Sequence, residues 1–158
     1  MLCQLNSYLR TVNTNLLDCI PVEGKWGSLL SDIILYPKSG GQPSDRGWID
    51  ETPVIDVQKY QGKVYALTDT RLDCGSVQVQ VDWKRRFEHM QLHTGQHLLT
   101  ALILRRYSWM TVGFHIGSDV ATIDLDTNTV TEEDCTDIED MVHEHILKGL
   151  PVRSHQVS

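Results

Sequence analysis

Two hydrophobic periods divide the chain. Up to about residue 83 the apolar residues fall in short runs: DIILYP (32–37), GWID (47–50), PVIDVQKY (53–60), KVYALTD (63–69) and SVQVQVDW (76–83). These runs are rich in β-branched and aromatic residues, and Gly, Pro and Asp punctuate them at intervals of about ten residues. That spacing predicts the strands of a small β-barrel or sandwich. Gln61-Gly62, between two of the runs, predicts a hairpin turn. From about residue 90 the period lengthens. Leu92, Leu98, Leu99, Leu102 and Ile103 suit an amphipathic helix running to about Tyr107. VGFHIGS and VATIDLD then read as two strands joined by a tight turn at Gly117-Ser118-Asp119. Thr131 opens a second helix, with Asp134 in the reciprocal capping position. Its apolar stripe is Cys135, Ile138, Met141, Val142, His145 and Ile146, and Gly149 and Pro151 end it. Strands followed by helices against a sheet predict an α+β protein: a small N-terminal β-barrel over residues 1–84 and a second α+β domain over 85–158. The boundary near residue 85 has no flexible linker, so the two parts are expected to pack firmly.

Composition narrows the class. The 158 residues, 41% hydrophobic and 22% charged, suffice to bury a core. No apolar run approaches the roughly 18 residues of a membrane span, so no membrane partner is expected. MLCQLNSYLR lacks the basic start and apolar core of a secretory signal. Cys3, Cys19, Cys74 and Cys135 are scattered with no C-x-x-C pair. That pattern suits reduced thiols and a cytoplasmic location. The net charge of −7 argues against a general nucleic-acid binder. The charge is uneven, however. Acidic residues gather in TEEDCTDIED, while the basic ones, Lys84, Arg85 and Arg86, then Arg105 and Arg106, concentrate near the candidate site described below. A local field can steer a polyanion against the global sum, although a solvated basic rim accounts for either cluster alone.

The candidate chemistry lies in Asp82 to Leu99, DWKRRFEHMQLHTGQHLL. His93 and His97, four apart on a helix, share one face. Two such imidazoles can ligate Zn²⁺, and two unrelated half-buried histidines give the same spacing. If the helix extends back one turn, His89 joins the stripe, and three neutral imidazoles plus water would satisfy a catalytic zinc. Thr94 and Gln96 flank the pair and could hydrogen-bond an amino acid or a ribose; Thr94 could equally bond its own helix backbone. Gly40-Gly41-Gln42 lies in a second motif, YPKSGGQPSDRG (36–47). Its glycines serve either a close approach to a ligand or a hairpin that needs positive φ, and Asp45 and Arg46 could fix the loop. His115 and His145 read as core histidines, His143 as a solvent residue, and Trp48, Trp83 and Trp109 as packing anchors.

The order Y-P-x-x-G-G-Q-x-x-D-x-G, then D-W-x-R-R-x-x-H-M-x-x-H-T-x-x-H-L-L, then GFHIGSDVATIDLD (113–126), closely resembles the alanyl-tRNA editing proteins. These AlaX-type proteins are free-standing relatives of the editing domain of alanyl-tRNA synthetase. The resemblance covers nearly the whole chain. It implies a trans-editing hydrolase that cleaves the ester of mischarged tRNA(Ala), seryl- or glycyl-tRNA(Ala), at a zinc-associated site. It implies His93 and His97 as zinc ligands and, with Thr94, as the catalytic group. Gly40, Gly41, Gln42, Gln96 and Arg86 are then the substrate contacts, the loop meeting the terminal adenosine, and His89 is structural. The family's remaining zinc ligands come from a downstream Cys-x-x-x-His segment. After Cys135 this chain offers only His143, His145 and His155 before Ser158. The resemblance therefore implies reduced zinc occupancy and an editing-type domain, 85–158, that lacks its distal part. PVRSHQVS (151–158) reads as a strand just begun, and self-association through the incomplete C-terminal domain is expected. The other readings open at this point are a non-catalytic tRNA- or partner-binding module, a metal-independent deacylase, and an inactive fragment of a longer editing protein.

Overall fold

A computed structural model describes residues 1–117 and 120–153. In chain order the elements are α1 (Leu2–Leu5), β1 (Thr11–Val22), β2 (Lys25–Leu30), β3 (Gly47–Ile49), β4 (Thr52–Val54), β5 (Asp56–Tyr60), β6 (Lys63–Thr68), β7 (Gly75–Val81), α2 (Trp83–Tyr107), β8 (Thr111–Ile116), β9 (Ala121–Leu125) and α3 (Glu132–Leu147). The class is α+β, as the patterning predicts.

Seven strands form one antiparallel sheet in the order β4-β3-β7-β1-β2-β6-β5. Its two edge strands, β4 and β5, are consecutive in sequence and separated by Ile55 alone. The Ile55 N–H donates to Leu67 O of β6 at 2.9 Å, so the sheet curls until its edges approach each other as a half-barrel. Leu16, Leu30, Ile49, Val57, Ala66 and Val79 fill the interior. The β5–β6 turn is the expected Gln61-Gly62 hairpin, with both residues at positive φ (48° and 76°).

Two expectations for this half fail. DIILYP is not a strand. Ile34 and Leu35 are wholly buried but have no ladder partner, and the backbone bends at Leu35; burial alone explains the run's hydrophobicity. Conversely, β1 and β2 go unrecognised because β1, TVNTNLLDCIPV, mixes in Asn, Asp and Pro, residues poor in strands. Its place beside both β2 and β7 holds it extended.

The helix carrying the histidines starts at Trp83, not near residue 90, and the expected boundary near 85 falls inside its first turn. Asp82 caps it, accepting from the Arg85 N–H at 3.2 Å. Ser108 ends it in the left-handed region. Leu102 and Ile103 are buried, but so are Arg86 and His89, while Leu92 is exposed. The apolar stripe is therefore interrupted where the helix meets the barrel. β8 and β9 pair as expected; of the turn between them, Ser118 and Asp119 lie outside the described residues. The Thr131–Asp134 capping box is present. The predicted α3 stripe is mostly not core. Only Ile138 is buried, Met141, Val142 and His145 are half-buried, and Cys135 and Ile146 are exposed. α3 packs on α2, which covers only part of that face. Pro151, Val152 and Arg153 form no strand; the rest of the predicted tail strand, including His155, lies outside the described residues. Among the described residues no helix is long and apolar enough to cross a membrane, and all four cysteines are free thiols.

Candidate active site

The site is built where α2 crosses the barrel. Arg86, 3% exposed, meets the Asp45 carboxylate, 1% exposed, with its Nε at 2.9 Å and with Nη2. Its remaining donors reach Ser7 O at 3.0 Å and Ile34 O at 2.7 Å. Asp45 also accepts from the Tyr36 N–H. A planar, multidentate guanidinium is suited to tying several segments at once. Here it joins helix, N-terminal segment and the 36–45 loop. Arg86 borders the cleft described below, yet it is a buried tie and not the exposed basic contact that its neighbours in sequence suggest.

This tie places the Gly40-Gly41-Gln42 loop. Ser39 and Gln42 exchange backbone hydrogen bonds at 3.1 and 3.0 Å across it. Gly40 and Gly41 have φ of 58° and 77°, a region costly for other L residues. A Cβ on Gly41 would stand 2.2 Å from Phe114 O, and Gly41 O accepts from the Ile116 N–H at 3.0 Å. The close approach that requires this glycine is to strand β8. A Cβ on Gly40 would meet nothing within 4 Å.

The loop delivers the buried Gln42 side chain to α2, where its Oε1 accepts from His93 Nδ1–H at 2.8 Å. That bond fixes the tautomer and leaves the Nε2 lone pair of His93 facing His97 Nε2, 3.1 Å away. Burial, and then the neighbouring His97, hold the His93 pKa below its usual value, so the ring is neutral and able to donate its lone pair. Two imidazole nitrogens bound to a tetrahedral zinc at about 2.0–2.1 Å stand roughly 3.3 Å apart. The pair, with an amide oxygen behind one ring, fits half of such a site. No third His, Cys, Asp or Glu completes a group around it among the described residues.

His93 and His97 open into a cleft of about 710 Å³ lined also by Cys3, Ser7, Tyr8, Tyr36, Gln42, Arg86, Met90, Thr94 and Arg153. That is ample for a small organic ligand. Thr94 is exposed there and makes no hydrogen bond to another described residue, so its hydroxyl is available to a ligand. Gln96 does not join them. Its Nε2 donates to Thr100 Oγ1 at 2.9 Å, which bonds Thr111 on β8 at 3.0 Å, and it lines a separate apolar hollow against the hairpin. His89 is buried with Nδ1 lacking a hydrogen-bond partner among the described residues, and its pKa is lowered, chiefly by burial and then by Arg85. The three-histidine stripe therefore does not form one ligand set. His115 and His143 are exposed; His145 bonds Met141 O. For His115 and His145 this corrects the core reading. Cys3, Ser7 and Tyr8 reach the cleft through contacts between segments far apart in sequence: Ser7 O accepts from Arg86, the Leu2 N–H donates to Ile33 O, Arg10 O accepts from the Val81 N–H and Tyr8 packs on Trp83, so no local pattern signals them.

No family model matches the chain. It is 37% identical to alanyl-tRNA editing protein Aarsd1 of Rattus norvegicus and 39% identical to that of Bos taurus, each over 99% of this chain. Those matches cover 42% and 38% of the relatives' own lengths. It is 33% identical to alanyl-tRNA editing protein AlaX-L of Pyrococcus horikoshii over 75% of this chain and 31% of that protein. The chain thus spans about two fifths of the length of the Aarsd1 relatives it matches. Over nearly all of its own length, it belongs to the family of alanyl-tRNA editing proteins.

Proposed function

We propose that the cleft is the hydrolytic site of a trans-editing deacylase that acts on mischarged tRNA(Ala), with a seryl or glycyl ester as substrate. The observation that carries this reading is the convergence of His93 and His97, ring nitrogens 3.1 Å apart, on an open cleft. Zn²⁺ is the ion that two neutral imidazoles backed by an amide oxygen would hold. When bound it would supply a polarised ester carbonyl or a water of lowered pKa. The chain's own residues do the rest. Gln42 holds the His93 ring with its lone pair turned to the cleft. Burial keeps that ring neutral. Thr94 presents a hydroxyl to the amino group or side chain of the esterified amino acid. The Gly40-Gly41-Gln42 loop, tied to β8, forms the wall beside the terminal adenosine.

Two histidines bind zinc less tightly than four ligands, so metal analysis of the purified chain should find substoichiometric zinc, and His97→Ala should abolish it. Seryl-tRNA(Ala) should lose its amino acid faster with protein than without, and alanyl-tRNA(Ala) much more slowly. Full zinc retained in the double variant His93→Ala, His97→Ala overturns the metal assignment. Both tRNAs untouched at high protein concentration overturn the reaction.

A further inference from the structure

We propose that Tyr8, Trp83 and Phe87 form a stacking platform for the unpaired 3′ end of an RNA and lead its terminal residue into the His93–His97 cleft. The inference rests on the reading of the cleft as an aminoacyl-RNA site. The three rings stand in a row, Tyr8 to Trp83 at 5.8 Å between centroids and Trp83 to Phe87 at 5.6 Å. Aromatic rings of this size usually spend their area in a core. Here Tyr8 is 63% exposed and Phe87 39% exposed. The Arg10 guanidinium lies 4.2 Å from the Trp83 centroid, and Lys84 is exposed with no ion pair among the described residues. Asp82, which caps α2, and the exposed Glu88 are the acidic neighbours in sequence.

Tyr8 joins the row to the cleft. Tyr8 lines the cleft together with His93 and His97. An apolar groove of about 390 Å³, bordered by Phe87, shares Tyr8, Met90 and Thr94 with it. Phe87 and His93 are six residues apart on one helix, about 9 Å along its axis. Exposed rings with cations beside them recognise single strands, whose bases are free to stack; a duplex keeps its bases stacked inside. The local cations also resolve how a chain of net charge −7 would hold a polyanion.

The test uses the full chain and a non-acylated five-nucleotide RNA ending in CCA, so that binding is read independently of ester chemistry. Anisotropy of a 5′-labelled strand should show saturable binding, weakened by salt. Phe87→Leu with Tyr8→Leu should weaken it at least about fivefold for each stacked base, whereas Phe87→Tyr with Tyr8→Phe should restore it. Circular dichroism of each variant monitors the fold. Unchanged affinity in the leucine pair, equal loss in the aromatic pair, or preference for a duplex of the same sequence overturns the platform whatever deacylation shows. Ring-dependent strand binding by a chain that deacylates nothing supports the platform and overturns the reaction proposed for the cleft.

Discussion

Replacing Gly41 by alanine should cost far more than replacing Gly40, although the two are adjacent and both have positive φ. Each substitution carries the left-handed penalty of about 1 kcal/mol. At Gly40 that is all, because the new Cβ meets nothing within 4 Å. At Gly41 the Cβ would sit 2.2 Å from Phe114 O and 3.1 Å from Phe114 C, both strand backbone that cannot yield cheaply. The loop must lift, breaking the Ile116 N–H···O=C Gly41 bond. Losing that bond and leaving a buried N–H unpaired adds about 1–3 kcal/mol. Gly41→Ala should therefore destabilise by about 2–4 kcal/mol and Gly40→Ala by about 1. Urea denaturation at neutral pH, followed by circular dichroism and by tryptophan fluorescence, measures both. Hydrogen exchange at the Ile116 amide should quicken only in Gly41→Ala. Equal midpoints for the two variants, with Ile116 equally protected, would show that this loop does not dock on β8 and that the glycine pair serves φ alone.

Two further outcomes follow from the buried polar groups of α2. Arg86→Met leaves the Asp45 carboxylate buried and unpaired, so urea titration should show a loss of about 3–5 kcal/mol. A loss under about 1 kcal/mol would mean that water reaches Asp45 freely. Burial lowers the His89 pKa, so as pH falls below about 6.5 the unfolded chain takes up that proton first and the native state loses stability. Stability-against-pH curves should therefore decline on the acid side for the wild type and be flatter for His89→Leu, which also removes the unpartnered Nδ1; parallel curves would show that His89 plays no part.

What could be read in the sequence was local. The i, i+4 spacing of His93 and His97, the Thr131–Asp134 capping box and the Gln61-Gly62 turn each depend on residues within a turn or two of one another, and helix or hairpin geometry settles them wherever the segment lies. The family resemblance located the loop and the helix but not how they meet. Tertiary structure alone decided that Gln42 reaches His93 across 51 positions of sequence, that Arg86 turns inward to Asp45 while Lys84 stays in water, and that Gln96 faces the hairpin and not the cleft. Each depends on which face of α2 the curled sheet covers. The same holds for DIILYP, where hydrophobicity reports burial, yet only the neighbouring chain determines whether a ladder partner exists. Periodicity records that a residue leaves water; which groups it meets there is settled by the approach of segments far apart in the chain.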